Sequence, residues 1–242
     1  MKYIGVIPAR MASKRLPGKA LRLIQGKALV HHVYDRAREA EELDDLMVAT
    51  DSEEIYTYCV DHGIKVVMTS PRHPSGTDRI YEVMQKVKGD IFVNIQGDEP
   101  LVRREHIHRL LEPFKRGLEF GVSTLKTPIS PEDAQDPNNV KVVTDVNDRA
   151  LYFSRWPIPY NRDKESHPTY FKHLGFYAYT REALSLFHHL PQSSLEKWEK
   201  LEQLRFLENG IPICVLETPL DTVGVDTEAD LKRVEEILSR GL

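Results

Sequence analysis

The sequence predicts an α/β fold with a mostly parallel, doubly wound sheet, and three observations support this prediction. Short apolar runs alternate with amphipathic helical patterns through the first half of the chain. In those helical segments apolar residues recur at the spacing of one helix face, as at Ile80, Val83 and Val87. A long basic loop follows the first apolar run. Short buried strands separated by helices favour parallel pairing, with helices covering both faces of the sheet.

The composition is that of an ordinary globular protein. The chain has 242 residues, of which 40% are hydrophobic and 29% charged, so it can bury a sizeable core. Its net charge of −4 provides no basic footprint for nucleic acid. Cys59 and Cys214 lack metal-ligand spacing and are expected to be buried thiols, which suits a reducing cytoplasm. No segment reaches the ~20 apolar residues of a membrane span, so neither membrane insertion nor a signal sequence is expected.

The first half contains four predicted strands, each a short apolar run that ends at a polar or turn residue. They cover residues 3–8, 44–50, 64–68 and 90–95. Between and after them, apolar residues at helical spacing predict helices. The first helix begins near residue 28, and three further helices cover residues 52–62, 78–88 and 103–115. Gly63 suits the residue that follows a helix end.

The middle of the chain changes character, because short β-like runs are broken by Pro and Asn. This pattern predicts an inserted antiparallel lid or dimerisation region at about residues 121–179. Its strands are predicted at 121–127, 140–145, 150–154 and 171–179. Helices are predicted at 181–189, about 195–208 and 227–240, with a strand at 211–216. Because no linker divides the chain, we interpret residues 1–242 as one domain with this insertion.

The loop of residues 9–19, here called the basic loop, follows the first predicted strand. It carries four cations, Arg10, Lys14, Arg15 and Lys19. In open α/β sheets, ligands bind at the carboxyl ends of the strands. Clustered Arg and Lys side chains match the charge of a polyphosphate. The loop is therefore a candidate polyphosphate site, and the alternative is a solvated basic loop.

The basic loop matches neither of two common phosphate motifs. Ser13 stands where a Walker loop has its first glycine, and Ala20 follows Gly18-Lys19 where the motif has Ser or Thr. The GxGxxG fingerprint is also missing, so a dinucleotide-binding dehydrogenase has no direct support. Gly18 is expected to allow close approach of the backbone to a ligand.

Two acidic residues are candidate metal ligands. Asp98 follows the fourth predicted strand in the run NIQGDEP (94–100), where Mg²⁺ could be held by a carboxylate and phosphates. The alternative for Asp98 is a turn that caps the next helix. Asp226 precedes the last helix, and either Asp226 or Thr227 could be its N-cap, with Asp230 completing a capping box. If Thr227 is the cap and Asp226 faces the site, the two carboxylates form the pair that nucleotidyl transfer commonly needs.

Two further sets of polar residues could bind the two substrates of a transferase. The run HPSGTDR (73–79) could contact a base or sugar, and the alternative is a helix start with Thr77 as N-cap. In the second half, the candidates for a sugar pocket are Arg155, His173, Glu202 and Gln203. Arg155 could bind a sugar carboxylate through two hydrogen bonds. A structural histidine and a solvated helix face are the alternatives for the others.

Taken together, these motifs resemble the 3-deoxy-manno-octulosonate cytidylyltransferase family, also called CMP-Kdo synthetases. The matching runs, in chain order, are IPAR (7–10), RLPGK (15–19), ATD (49–51), HPSGTDR (73–79), QGDEP (96–100), YFSR (152–155), LEQLR (201–205) and GVDT (224–227). The resemblance spans nearly the whole chain. It implies a nucleotide-diphospho-sugar transferase-like fold, a homodimer and a role in lipopolysaccharide biosynthesis. The implied reaction transfers CMP from CTP to the anomeric hydroxyl of the sugar acid Kdo and releases pyrophosphate.

The resemblance also implies roles for individual residues. The catalytic residues are Arg10, Lys19, Asp98 and Asp226, with Mg²⁺ on the two aspartates. The nucleotide-binding residues are Ala9, Arg10, Arg15, Lys19, Ser75, Gly76, Asp78, Arg79 and Gln96. The sugar-binding residues are Arg155, His173, Glu202 and Gln203. No separate general base is evident, and a metal that lowers the pKa of the attacking hydroxyl can take its place.

Two alternative functions and the role of one segment remain open at this point. The acceptor could be an 8-amino analogue of Kdo, because a single exocyclic group is read by few side chains. The chain could also be a CTP-sensing module without turnover, although a sensor has less need of a metal-binding carboxylate pair. For residues 157–170 no role carries over from the family, and Arg162 and Lys164 either close over substrate or are solvated.

Overall fold

The computed structural model describes residues 1–13, 15–164, 166 and 168–240. The chain forms two compact units, one of residues 1–108 with the segment from 222 onward, and one of residues 109–221. Lys14 of the basic loop lies outside the described residues. So do residues 165 and 167 of the predicted lid region.

Helices and strands both build the described chain and largely alternate in its first half, so the predicted α/β class is confirmed. The strands are β1 (Tyr3–Ala9), β2 (Leu23–Ile24), β3 (Lys27–Ala28), β4 (Asp45–Thr50), β5 (Val66–Met68), β6 (Ile91–Asn94), β7 (Val122–Ile129), β8 (Lys141–Thr144), β9 (Ala150–Ser154), β10 (Tyr170–Thr180) and β11 (Ile213–Glu217). The α-helices are α1 (Leu29–Ala37), α2 (Glu53–Asp61), α3 (Gly76–Lys86), α4 (Arg104–Lys115), α5 (Arg181–His189), α6 (Ser194–Glu199), α7 (Leu204–Glu208) and α8 (Glu228–Ser239).

The first unit is built on parallel strands. Strand β1 pairs with β4 on one side and with β6 on the other, and β5 pairs with β4. Val6 of β1 aligns with Met47 and with Asn94, so the three strands are in register. Because the strands are parallel, the chain leaves β1, β4 and β6 at the same edge of the sheet. The loops that begin after Ala9, Thr50 and Asn94 therefore start close together.

Two features of the fold differ from the sequence-based prediction. A hairpin of β2 and β3 precedes α1, with Gln25 and Gly26 both at positive φ as a tight two-residue turn requires. The single helix predicted at about 195–208 is wrong, because α6 ends at Glu199 and α7 begins at Leu204. Lys200 adopts the left-handed conformation between them, with φ +55°, and this conformation cannot continue a right-handed helix.

A buried apolar cluster, here called the α8 cluster, lies beneath the basic loop. Its fully or nearly fully buried members are Leu16, Ile24, Leu29, Val225, Leu231 and Val234. Leu16 belongs to the basic loop and is only 1% exposed. Since burial of a leucine side chain contributes about 2 kcal/mol, the cluster anchors the basic loop. Packing against α8 thus supports the basic loop, which is the candidate polyphosphate site.

The second unit contains the predicted antiparallel region. Strand β10 pairs antiparallel with β7 and with β8, β9 pairs antiparallel with β8, and β11 pairs parallel with β7. The pairing of β10 with β7 shifts register between Leu174 and Tyr177. The region was therefore correctly predicted as antiparallel.

A buried ion pair lies among the helices of the second unit. Arg205 of α7 donates two hydrogen bonds to Glu196 of α6, at 2.6 and 2.8 Å. The Glu196 side chain is 3% exposed, and the Arg205 guanidinium lies 3.9 Å from the ring centroid of Phe187. Two charges at this depth stabilise the unit only while both are present.

The cysteines and the apolar character of the helices bear on two composition-based expectations. Cys59 and Cys214 are both free and buried, as predicted. Burial raises the pKa of each thiol to about 11, so both remain protonated. Across the described part of the chain, none of the helices combines the length and apolar character that a bilayer crossing requires.

Candidate active site

A cavity of about 700 Å³ lies in the first unit, at the edge where β1 and β6 end. Residues of the basic loop line one side, and His73, Ser75, Gly76 and Arg79 at the start of α3 line another. The loop after β6 contributes Gln96, Gly97 and Asp98, and Asp226 comes from the segment before α8. Four segments that are far apart in the sequence therefore converge on one space.

Two glycines shape this cavity for different reasons. A Cβ atom at Gly97 would lie 2.5 Å from the carbonyl oxygen of Pro8, so only glycine lets the loop after β6 approach β1. Gly18 has φ +67°, and a Cβ atom there would meet only the Met11 side chain, at 3.5 Å. The predicted close approach of the Gly18 backbone to a ligand stays a prediction. The left-handed conformation of this residue at the start of a short 3-10 turn is what favours glycine.

Asp98 and Asp226 meet around the ammonium group of Lys19. Lys19 Nζ lies 2.6 Å from Asp98 Oδ2 and 2.9 Å from Asp226 Oδ1. Arg15 contacts the other oxygen of Asp226 at 2.8 Å. Burial acts to lower the pKa of Lys19, but the two carboxylates outweigh it and raise that pKa, so the side chain stays positively charged. Two cations of the basic loop thus neutralise the carboxylate pair.

Helix α8 shows how Asp226 reaches the cavity. Thr227 is the N-cap, and its hydroxyl accepts a hydrogen bond from the Asp230 N–H in a capping box. The Asp226 side chain is 45% exposed and takes no part in this box. Capping and cavity roles therefore fall on neighbouring residues. Asp98 likewise lies well before α4, with its carboxylate at Lys19.

The carboxylate pair fits a divalent cation of the Mg²⁺ type. Two carboxylates that already share one cation within 3 Å can share another. Both are partly exposed to the cavity, at 34% and 45% of the side-chain surface. Mg²⁺ typically takes one or two protein carboxylates and completes its shell with phosphate and water. The donor set of Asp98 and Asp226 has that character.

The predicted nucleotide-binding residues fall into two groups, those that line the cavity and Asp78, which supports the start of α3. Ala9, Arg10, Arg15, Lys19, Ser75, Gly76, Arg79 and Gln96 line the cavity. Asp78 lies in the first turn of α3, where its backbone N–H donates to the Ser75 hydroxyl at 3.2 Å. Ser75 is therefore the N-cap of α3, and the alternative with Thr77 in that position is wrong. The Thr77 side chain is buried inside the first turn.

Two residues without a sequence-predicted role, Asp51 and Thr69, hold Arg79 in place. Arg79 NH2 lies 3.0 Å from Asp51 Oδ2, and its NH1 donates to the Thr69 hydroxyl. Asp51 follows β4 as Asp98 follows β6. The signal that singled out Asp98, an acidic residue just beyond a parallel strand, was therefore also present at Asp51.

The predicted sugar-binding residues all belong to the second unit. Arg155 Nε donates to the Glu199 carbonyl at 2.8 Å, and its NH1 donates to the Pro137 carbonyl at 2.9 Å. The Arg155 backbone N–H also donates to the Glu199 carboxylate. Two backbone carbonyl groups therefore hold the guanidinium of Arg155 in place. A guanidinium fixed in this way keeps its charge available for an anionic ligand.

Glu202 and Gln203 precede α7 and differ in exposure. Gln203 is 6% exposed, so the alternative of a solvated helix face is wrong for this residue. Its Nε2 atom is buried and has no hydrogen-bond partner among the residues that the structure describes. A buried unpaired donor usually indicates a ligand or a water molecule. Glu202 is only partly buried.

His173 is a neutral, packed side chain. Its Nε2 atom lies 2.9 Å from the Thr124 hydroxyl, and its ring contacts those of Phe153 and Tyr177. Burial, with a smaller contribution from Lys172, lowers the pKa of His173 to about 3. At neutral pH the ring can therefore exchange hydrogen bonds but carries no positive charge for an anionic sugar.

The lowered pKa of His173 predicts a pH dependence of stability. The unfolded chain takes up a proton at this residue below pH ~6.5, whereas the folded chain does so only near pH 3. We expect the free energy of unfolding to decrease as the pH falls through this window. The His173→Gln variant should show a shallower decrease in denaturant titrations at successive pH values. Parallel curves for the two proteins would contradict the expectation.

The comparisons with known proteins identify first the class of protein. A family model described as Cytidylyltransferase matches residues 4–216. The chain therefore belongs to the cytidylyltransferase family. A cytidylyltransferase structure from Leptospira borgpetersenii has the same fold with a TM-score of 0.67, covering 100% of this chain and 88% of that chain. At 16% identity, this similarity concerns the fold alone.

Closer relatives confirm the resemblance that the motifs predicted. The chain is 58% identical to the 3-deoxy-manno-octulosonate cytidylyltransferase of Koribacter versatilis over 98% of its own length and 90% of that protein. A solved structure of CMP:2-keto-3-deoxy-manno-octonic acid synthetase complexed with CTP is 44% identical. Its TM-score is 0.96, and each chain is covered completely. The predicted nucleotide-diphospho-sugar transferase-like fold is confirmed.

Proposed function

We infer that the protein transfers CMP from CTP to the anomeric hydroxyl of 3-deoxy-D-manno-octulosonate, giving CMP-Kdo and pyrophosphate. The observation that carries this inference is the pair of Asp98 and Asp226, which meets around Lys19 in a cavity beside the basic loop. The family membership and the name of the 58% identical relative supply the substrates. The product is a precursor for lipopolysaccharide assembly.

The cavity offers contacts for both the triphosphate and the nucleoside of CTP. We assign Arg10, Arg15 and Lys19 to the phosphates, because all three cations line the cavity beside the carboxylate pair. Ser75, Gly76, Arg79 and Gln96 also line the cavity and are assigned to the nucleoside. Asp78 supports that end indirectly, through its hydrogen bonds with Ser75.

The proposed reaction is an in-line displacement at the α-phosphate. The anomeric oxygen of the sugar forms a bond to phosphorus, the bond to the bridging oxygen of the β-phosphate breaks, and pyrophosphate carries away the electron pair. Arg10 and Lys19 stabilise the negative charge that develops on pyrophosphate. The hydroxyl proton is lost to solvent, since no general base is assigned.

Asp98 and Asp226 would hold Mg²⁺. This ion, when bound, supplies charge neutralisation at the phosphates and a lower pKa of the attacking hydroxyl. The two carboxylates also orient Lys19. Its direct contacts with Asp98 and Asp226 connect the proposed metal ligands to the basic loop.

We propose that Arg155, His173, Glu202 and Gln203 bind the sugar acid. Arg155 supplies the positive charge for its carboxylate, and the buried Nε2 atom of Gln203 supplies a donor for a hydroxyl oxygen. His173 contributes hydrogen bonds as a neutral ring. Glu202 can accept hydrogen bonds from sugar hydroxyls.

We also propose that the protein is a cytoplasmic homodimer. Three large aromatic side chains of the second unit support self-association, because Trp156, Tyr160 and Trp198 are 74%, 77% and 84% exposed. The free cysteines Cys59 and Cys214 suit a reducing compartment. Sedimentation at the mass of a monomer would contradict the dimer.

A pyrophosphate-release assay tests the reaction. We expect release with CTP and Kdo in the presence of Mg²⁺, loss of release when EDTA is added, and recovery when Mg²⁺ is restored. A parallel reaction with the 8-amino analogue identifies the better acceptor. Release with another keto acid, but with neither of these, would contradict the substrate assignment. CTP binding without release in any mixture would instead favour a nucleotide-sensing module.

A further inference from the structure

Asp51 provides the counter-charge for a buried arginine in the cavity wall. The Arg79 side chain is 4% exposed, and its NH2 atom lies 3.0 Å from Asp51 Oδ2. The Asp51 side chain is itself 19% exposed, so the pair is largely removed from water. A guanidinium at this depth requires a nearby negative charge. Asp51 therefore holds the charge of Arg79 inside the wall.

Thr69 fixes the second edge of the same guanidinium. Its hydroxyl accepts a hydrogen bond from Arg79 NH1 and donates one to the Thr50 carbonyl at 3.0 Å. The backbone N–H of Thr69 donates to the same carbonyl at 2.8 Å. Asp51 and Thr69 thus grip two different nitrogen atoms of Arg79. Since a guanidinium is planar, two such contacts determine the direction of its other N–H groups.

A fixed guanidinium can distinguish one pyrimidine base from another. Cytosine presents two adjacent acceptors, O2 and N3, whereas uracil presents O2 next to an N3–H donor. The donors of arginine match two acceptors in one plane and repel a donor. This discrimination requires that the guanidinium cannot turn away from the wrong base. The contacts with Asp51 and Thr69 restrict such a rotation of the Arg79 guanidinium.

We propose that Asp51 is a positioning residue that makes the nucleotide site selective for CTP over UTP by fixing the guanidinium of Arg79. The proposal rests on the proposed function, because it takes the cavity as the nucleotide site. It adds a specificity role for the ATD run (49–51), which the assigned reaction does not otherwise use. Asp51 acts through Arg79 and need not touch the nucleotide.

The Asp51→Asn variant of the full chain tests the proposal. We expect kcat/KM for CTP to fall about 10- to 100-fold, mainly through KM, as for loss of a charge-assisted hydrogen bond. We expect little change for UTP, so the CTP/UTP ratio should fall at least about tenfold. Dissociation constants for both nucleotides, measured by calorimetry without sugar, should show the same change. Asp51→Glu, which restores the carboxylate, should recover part of the ratio.

The matched control is Asp45→Asn. Asp45 begins the same strand and pairs with Lys65 at its far end, so this variant removes an equal charge away from the cavity. The control should keep the wild-type CTP/UTP ratio. An unchanged ratio in folded Asp51→Asn would overturn the proposal, even if CTP turnover decreased, because a purely structural role affects both nucleotides alike.

A second variant covers the case in which Asp51→Asn does not fold. Thr69→Val removes the other acceptor without changing the charge, and it should lower the CTP/UTP ratio several-fold, by about the effect of one neutral hydrogen bond. An unchanged ratio here would equally overturn the proposal. Absence of wild-type turnover with CTP and Kdo would contradict the proposed function instead. The two failures are distinguishable, because calorimetry reports nucleotide selectivity without turnover.

Discussion

Replacing Asp98 or Asp226 with asparagine is expected to lower the turnover of CTP and Kdo on the order of a thousandfold, the size seen when a transition-state charge partner is lost. Asparagine keeps the shape of the side chain and removes one negative charge. The two carboxylates share Lys19, and each substitution removes one of the two proposed metal ligands. Pyrophosphate release under saturating substrates measures the effect.

Affinity for CTP should change much less than turnover in both variants. The phosphates are assigned to Arg10, Arg15 and Lys19, which both substitutions leave in place. Calorimetry with CTP alone provides this comparison. Asp35→Asn serves as the charge control, because Asp35 pairs with Lys27 away from the cavity. Near-normal turnover in either Asp98→Asn or Asp226→Asn would remove the basis of the proposed mechanism.

The largest expected effect on stability follows from the buried pair of Glu196 and Arg205. Glu196→Gln leaves the Arg205 guanidinium buried without its counter-charge, and we expect a loss of about 3–5 kcal/mol in the free energy of unfolding. The Gln side chain can still accept one hydrogen bond, so the lower part of this range is the more favoured. Urea titration followed by circular dichroism measures the change.

Two comparison variants show whether burial is the cause. Asp221→Asn removes one partner of an exposed pair with Lys172, and it should cost at most about 1 kcal/mol. Replacing Glu196 and Arg205 together with methionine should recover much of the stability, because neither charge then remains in the interior. A double variant as unstable as Glu196→Gln would argue against an electrostatic origin.

The strands and most helices could be predicted because their signals are local. Apolar runs of four to seven residues and helical spacing placed β1, β4, β6 and α3 within two residues of their ends. The break at Lys200 could not be predicted, since a lysine carries no local signal for the left-handed conformation that it adopts there. The hairpin at Gln25-Gly26 had a turn signal, but its strands are only two residues long.

The segments that line the cavity could be predicted to meet at one edge of the sheet, but their mutual contacts could not. Parallel strands put Asp98 beside the basic loop, which follows from topology alone. That Lys19 bridges Asp98 and Asp226 depends on the path of the segment before α8, and no local pattern encodes it. The same holds for Asp51, because its partner Arg79 is 28 residues away along the chain.

The position of α8 has a consequence for synthesis on the ribosome. Lys19 and Asp226 are separated by 207 residues, and Leu16 is buried against Leu231 and Val234. At 5–20 residues per second, the nascent chain exposes the N-terminal loop for roughly 10–40 s before its partners are made. During this time Leu16 lacks the part of its apolar cover that Val225, Leu231 and Val234 provide, and Arg15 and Lys19 lack the Asp226 carboxylate. A nascent chain can therefore form its first strands early, but its substrate site matures only after the final helix has emerged.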